Sequence, residues 1–302
     1  MPATKMHADE VVTDASVVHR LLAAQFPQWA ELPIEPVRSA GTDNAIYRLG
    51  DEMAIRLPRI ERVVDQVDKE HRWLPRLAPL LPLAIPTPLA RGTPGCGYPW
   101  DWSVHRWIAG ENALIERIAD PRQAAIDLAK FITALRRIDA TGGPSPGAHN
   151  FFRGVPLTMR DARTRETIAS LRGTIDCDAA TAVWESALHA PMWRGEPVWI
   201  HGDLQSGNLL AVDGRLTAII DFGGLGVGDP ACDVMAAWTY VPAKHRDDFR
   251  AALGVDDATW ARGRGWALSV SLFILPYYGS TNPVLVNIAR RAIAEVLADA
   301  LT

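Results

Sequence analysis

HGDLQSGNLLAVDGRLTAIID, residues 201–221, decides how this chain is read. LLAV and RLTAI are short apolar runs separated by Asp213-Gly214. A two-residue Asp-Gly connection between such runs is a β-hairpin signal, because a type I′ turn needs positive φ at both central residues. With Val212 and Arg215 closing the turn, antiparallel pairing sets Asn208 opposite Ile219 and Ser206 opposite Asp221. Asn208 and Asp221 then meet at the open end of the hairpin, and Asp203 sits in the loop that feeds it. Two carboxylates and a carboxamide converging on one point form a hard-oxygen site suited to Mg²⁺.

Each of these residues also has a plainer reading. An isolated loop aspartate is usually just solvated. Within H-G-D-x-x-x-x-N, followed by a hairpin ending in D-F-G, Asp203 is expected instead to accept a proton from an attacking hydroxyl. Asn208 could cap a turn and Asp221 could end a strand. Their closeness across the hairpin favours a pair of metal ligands completed by water and phosphate oxygens. His201 has no second histidine nearby, so zinc is not indicated. Its ring is expected to pack under the loop and bond a backbone carbonyl or Asp221. Asp229 and Pro230 read as the N-cap and first residue of a helix. Asp233, in that first turn, suits the helix dipole and could brace the catalytic loop.

Outward from the hairpin, residues 14–26 predict a helix capped by Asp14 or Ser16. Residues 34–57 read as three strands with turns at Gly41 and Gly50-Asp51. Residues 60–78 are helical, with Val63, Val67, Leu74 and Leu77 on one stripe. Glu70 falls on that stripe, where a carboxylate is costly unless paired. Arg56, on the strand before, is its natural partner; a partly exposed helix flank, or an i,i+4 pair with a neighbouring Arg or His, is the alternative. In SAGTDNAIY, Gly41 permits tight backbone geometry while Thr42 and Asn44 offer donors to a phosphate. An ordinary hairpin turn explains the segment equally well, and no Walker A motif occurs in the chain.

Residues 82–99, rich in Pro and Gly, are expected to wander over the surface before the strand WSVHRWI. Beyond residue 109 helices dominate, near 121–138, 157–172, 178–189, 230–241, 257–274 and 284–300, with a Gly/Pro connector at 140–156. The organisation is α+β: a small β-rich N-terminal lobe over residues 1–107, and a helical lobe over 108–302 carrying the inserted hairpin.

A chain of 302 residues with 48% hydrophobic and 22% charged residues can hold two lobes with a sizeable core. Its net charge of −4 argues against a nucleic-acid footprint. The three scattered cysteines predict reduced, mostly buried thiols. MPATKMHADEVV lacks the apolar core of a signal peptide, and the apolar stretch 266–278 is too short for a membrane span. The expectation is a cytoplasmic protein with no membrane or nucleic-acid partner, either monomer or homodimer. Trp100, Trp102, Trp107 and Trp238 are core residues by default, with a cleft lining as the alternative.

These residues resemble the aminoglycoside phosphotransferase family, small-molecule kinases with the protein-kinase-like bilobal fold. The resemblance spans roughly residues 35–300 and is most specific in HGDLQSGN (201–208) and IIDFGGLGVGDPACD (219–233). It implies ATP or GTP in the cleft, Mg²⁺ on Asn208 and Asp221, Asp203 as the catalytic residue and Glu70 as the lobe-bridging glutamate. VHRWIAGE would be the hinge, with the backbone of Arg106 and Ile108 against the nucleobase. The family's phosphate-binding lysine falls at Arg56. Arginine stays charged and grips phosphate bidentately, but it is bulkier and not interchangeable with lysine. Macrolide kinases of the wider family are similar in carrying arginine there.

The implied activity is transfer of a γ-phosphoryl group to a small-molecule hydroxyl. An aminoglycoside-type antibiotic, with its link to resistance, is the first expectation; a macrolide or another small alcohol or sugar follows. A silent nucleotide-binding interaction protein is the rival from another class. The acceptor pocket is expected from residues 150–195 and 235–280, where the acids Asp161, Glu166, Glu185 and Asp247 are interspersed with arginines.

Overall fold

Asp14 begins the first regular element of the computed structural model, which describes residues 9–37 and 41–300. Its carboxylate accepts the N–H of Val17 and caps α1 (Ala15–Gln25), a device that contributes about 1 kcal/mol. Val18, Leu21 and Leu22 of α1 are buried against a sheet that includes Leu49, Ile55 and Val104. That sheet comprises β1 (Ile34–Pro36), β2 (Asn44–Leu49), β3 (Met53–Pro58), β4 (Pro88–Gly92) and β5 (Trp102–Arg106), in the antiparallel order β1-β2-β3-β5-β4. β4 lies inside the stretch expected to wander. It is an edge strand beginning at Pro88, where a missing N–H breaks no inner ladder. α2 (Asp65–Leu77) starts later than its periodicity suggests, because a 3₁₀ turn at Glu61–Val63 precedes it.

The remainder is mainly helical. α3 (Pro121–Arg137) opens with Asp120 as cap and Pro121 at its first position. α4 (Asp161–Ser170) and α5 (Cys177–His189) follow. β6 (Glu111–Asn112), β8 (Leu209–Val212) and β9 (Arg215–Ile219) form one small sheet, while β7 (Val198–Ile200) pairs with β10 (Gly226–Gly228). The span expected as one helix at 230–241 is split into α6 (Ala231–Val234) and α7 (Ala236–Thr239). α8 (Arg246–Leu253) was not anticipated; α9 (Asp257–Tyr278) runs past its expected end, and α10 (Pro283–Asp299) closes the fold. Trp184, Trp199, Trp238, Trp266, Phe131 and Phe222 are fully buried in this part. Among the described residues no helix is long and apolar enough to cross a membrane.

The turn of the hairpin has the expected conformation, with φ of 50° at Asp213 and 73° at Gly214. The register differs from the simple count. Val212 faces Arg215 and Ala211 faces Leu216, but beyond a bulge Leu210 faces Ala218 and Leu209 faces Ile219. Asn208 therefore bonds Ile220 rather than Ile219: the Ile220 N–H donates to the Asn208 carbonyl at 2.9 Å. The cause is a second partner for β9. The Thr217 carbonyl accepts from Ala84 at 3.1 Å, and the Ile219 N–H donates back to Ala84 at 2.9 Å. Thr217, bonded to Ala84, is the β9 residue left out of the ladder with β8. Of the cysteines, Cys232 is buried and Cys177 half-buried; Cys96, against expectation, is exposed at the tip of a tight turn.

Candidate active site

The loop 201–208 is hung from one buried carboxylate. Asp233, 1% exposed, accepts the N–H of His201 at 2.8 Å and of Gly202 at 2.7 Å. Asp233 thus braces the loop, as its place in the first turn suggested. Asp229 accepts the Ala231 N–H at 2.9 Å and pairs with buried Arg262 at 2.8 Å, a structural tie behind the site. Gly202 has φ of 84°, and a Cβ there would meet the Gly224 carbonyl at 2.8 Å. Only glycine meets both demands. Backbone therefore packs directly on backbone between this loop and the turn after Asp221.

His201 packs under the loop, its ring edge-on to Phe222 at 4.6 Å between centroids. Nε2 lies 3.1 Å from the Ile220 carbonyl, and the Asp203 N–H donates to Nδ1 at 3.2 Å. A carbonyl only accepts and an amide N–H only donates, so the ring is neutral with its proton on Nε2. Burial, which lowers its pKa, favours the same form. Both ring nitrogens are occupied, so His201 is neither a metal ligand nor a base here.

Asp203 keeps 34% of its side chain exposed and borders a cavity of about 800 Å³. The Asn208 amide donates to its Oδ2 at 2.7 Å and to its carbonyl at 2.8 Å, and an Arg153 nitrogen lies 3.7 Å from Oδ1. Burial raises the Asp203 pKa; Arg153 opposes this, and the charge of Asp221 adds to it. Because the Asn208 nitrogen is committed to Asp203, its Oδ1 is the atom left for a cation. Asp221 adopts the left-handed region (φ 63°, ψ 72°), with Oδ1 accepting the Gly223 N–H at 3.3 Å. Such strain in a non-glycine residue costs on the order of 1 kcal/mol and clusters at functional sites. Among the described residues no three His, Cys, Asp or Glu side chains form a closed metal cage. One carboxylate and one amide oxygen make an open set. Such a set suits Mg²⁺, which keeps waters and phosphate oxygens in its shell.

In the sheet lobe, β3 and α2 meet at a buried ion pair. Arg56 Nη1 bonds Glu70 Oε2 at 2.6 Å, with the two side chains 13% and 3% exposed. The pairing expected for Glu70 is therefore present. Burial still raises the Glu70 pKa against the pull of Arg56. His105, its Nε2 2.9 Å from Ser103 Oγ, is held neutral by burial.

Two residues of this lobe escaped the sequence reading. Lys69 is buried and donates to the Gly223 carbonyl at 2.7 Å and the His149 carbonyl at 3.1 Å. Burial lowers its pKa to about 8. Asp43, beside Thr42 in the β1–β2 loop, is raised to about 6, first by burial and then by the charge of Asp221. Neither has a local signal: a helix lysine and a turn aspartate are ordinarily solvated.

Thr42 borders the cavity and receives the Tyr278 hydroxyl at 3.1 Å. Asn44 begins β2 opposite Pro58. Gly41, Asn44, Arg56 and Glu70 do not border the cavity, and neither do Arg106 and Ile108 of the hinge. The Arg106 N–H is taken by the Thr87 carbonyl at 2.9 Å. On the helical side, Asp161, Glu166, Glu185 and Asp247 also stay out of the cavity lining. Asp161 and Glu185 instead share Arg165, at 2.8 and 3.1 Å. Trp102 and Trp238 are core residues, and none of the four tryptophans considered lines the cavity.

A model of the phosphotransferase enzyme family matches residues 34–266. None of the curated proteins compared with the chain matches it. Solved structures do. Wild-type aminoglycoside 2'-phosphotransferase-IIIa in its GDP complex aligns with a TM-score of 0.72 and 18% identity, over 95% of this chain and 100% of that one. APH(2")-IIia with GDP and kanamycin gives 0.73 and 20%, over 94% and 98%. The apoenzyme of macrolide 2'-phosphotransferase MphH from Brachybacterium faecium gives 0.61 and 22%, over 94% and 97%. At these identities the likeness establishes the fold: α+β, an antiparallel-sheet lobe followed by a helical one.

Proposed function

This chain belongs to the phosphotransferase enzyme family, and on that premise we propose that it moves the γ-phosphoryl group of ATP or GTP to a hydroxyl of a small molecule. The observation that carries the reading is the cluster at one end of the cavity. Asp203 is bonded to Asn208, and Asp221 is near enough for its charge to raise the Asp203 pKa. Residues 1–107 would form the nucleotide side and 108–302 the acceptor side.

In this reading Asp203 accepts the proton of the acceptor hydroxyl. Its raised pKa makes it a stronger base than an ordinary carboxylate, and Asn208 and Arg153 fix its direction. Asn208 and Asp221 hold Mg²⁺, which when bound neutralises phosphate charge. Arg56 uses only Nη1 on Glu70, so its other guanidinium nitrogens remain for phosphate oxygens. Gly41, Thr42 and Asn44 cover the phosphates, and the backbone of Arg106 and Ile108 faces the base. The solved relatives bind GDP and kanamycin or are named for macrolides, so those two antibiotic classes are the first acceptors to test.

Asp203→Asn tests the central assignment in a nucleotide-consumption assay run with ATP and GTP in parallel. Turnover should fall by at least ~10²-fold, the usual worth of a general base, with Mg-nucleotide affinity nearly unchanged. Near-normal turnover would remove Asp203 from the chemistry.

A further inference from the structure

The acids lining the cavity are Asp203 and Asp221 at its catalytic end, with Asp43 and Asp65 from the sheet lobe. The part of the wall built from residues 148–163 and 235–289 contains no Asp or Glu. It is apolar, with Phe151, Met159, Val270, Ile274, Leu285 and Ile288, and it carries three arginines: Arg153, Arg160 and Arg163. Arg160 donates from Nε to Ser269 Oγ at 3.1 Å, and its guanidinium lies 4.8 Å from the Trp266 ring and 5.4 Å from Phe273. Arg163 stands 4.3 Å over the same Phe273. Among the described residues neither is paired with a carboxylate. Arg153 has Asp203 at 3.7 Å, and its buried Nε has no acceptor.

Three guanidinium groups on one wall of the cavity repel one another. Burial, then the charges of Arg153 and Arg163, lower the pKa of Arg160 to about 9. Stacking on aromatic faces holds a guanidinium flat and leaves N–H groups at its edge for a ligand. Arg160 is half-buried with no carboxylate beside it, which is costly, and an anionic ligand shared with the exposed Arg163 would remove that cost. A polycationic ligand would instead meet three like charges on this wall.

We infer that the natural phosphate acceptor is a hydroxylated organic acid with an apolar body, its carboxylate seated on Arg160 and Arg163 and its hydroxyl presented to Asp203. The inference rests on the phosphoryl-transfer reading of the same site.

Calorimetry without nucleotide separates the two ideas, since acceptor binding is read whether or not transfer occurs. The probes are 12-hydroxydodecanoate, 1,12-dodecanediol and kanamycin. The acid should bind at least ~10-fold tighter than the diol, by loss or gain of one charge-assisted contact, and kanamycin weakest. In an Arg160→Gln/Arg163→Gln double variant the acid should fall to the affinity of the diol. Arg165→Gln is the control: Arg165 lies on the same helix but pairs with Asp161 and Glu185. It should keep the wild-type preference. If the double variant fails to melt cooperatively, the exposed Arg163→Gln alone should lose part of the preference. An acid no tighter than the diol, kanamycin as the tightest ligand, or a preference that survives loss of the arginines would each overturn the proposal.

Discussion

Asp43 shows how far one residue's chemistry depends on groups distant in sequence. Its carboxyl ionises at about 6 rather than 3.8, because burial and the charge of Asp221 disfavour the anion. The folded state thus holds this proton more tightly than the unfolded chain. The associated stability is full below pH 3.8 and is lost as pH rises through about 6. Asp43→Asn should therefore stabilise the protein at about pH 7, on the order of 2 kcal/mol, and hardly at all at about pH 4. Urea melts at the two pH values check this, and an equal gain at both would refute it. Asp203, Asn208 and Asp221 were legible because they share one run with one turn. Asp43, Lys69 and Arg153 were not, because what makes them unusual is supplied by partners that no local pattern names.

At the scale of elements, Gly202 and Gly173 form a natural pair. Both have positive φ, 84° and 82°, but a Cβ at Gly173 meets open space while one at Gly202 meets the Gly224 carbonyl. Gly173→Ala should cost about 1 kcal/mol, the backbone term alone. Gly202→Ala should cost clearly more and lower turnover, because the catalytic loop must shift; thermal melts and steady-state rates on both variants check it. Equal effects would mean that the close approach is soft. The hairpin turn was readable from Asp213-Gly214, whose backbone preference is local. Its bulge was not, since it arises from Ala84, far upstream. β4 was missed for a similar reason. Its Pro and Gly content reads as loop, and it becomes a strand only because β5 offers a free edge. β10, a Gly-Val-Gly segment, has no strand propensity of its own.

Across the whole molecule, Trp73, Leu74, Leu77 and Ile85 pack into the core of the helical lobe, while a few polar side chains join the two lobes near the cavity. Lys69 reaches from α2 to the carbonyls of His149 and Gly223. Arg62 bonds the Tyr277 hydroxyl at 3.0 Å and lies 5.6 Å from its ring. Lys69→Met would leave the buried Gly223 carbonyl and the half-buried His149 carbonyl without this donor, a loss of about 1–3 kcal/mol. A thermal melt should register it, and an unchanged midpoint would show that water replaces the ammonium. The two-lobe arrangement itself was legible, because the change from strand to helix periodicity is written along the chain. The contacts that close the lobes were not, since they pair residues from 80 to 236 positions apart.

Tyr278 and Thr42 are the most telling of those contacts. One stands at the end of α9, the other in the loop that would cover the phosphates, and their hydroxyls touch at 3.1 Å. Both residues line the cavity, so its wall is a seam between the two lobes. An acceptor long enough to part that seam would also loosen the loop over the nucleotide. The size of the acceptor and the hold on the phosphate donor are then coupled through the same few contacts.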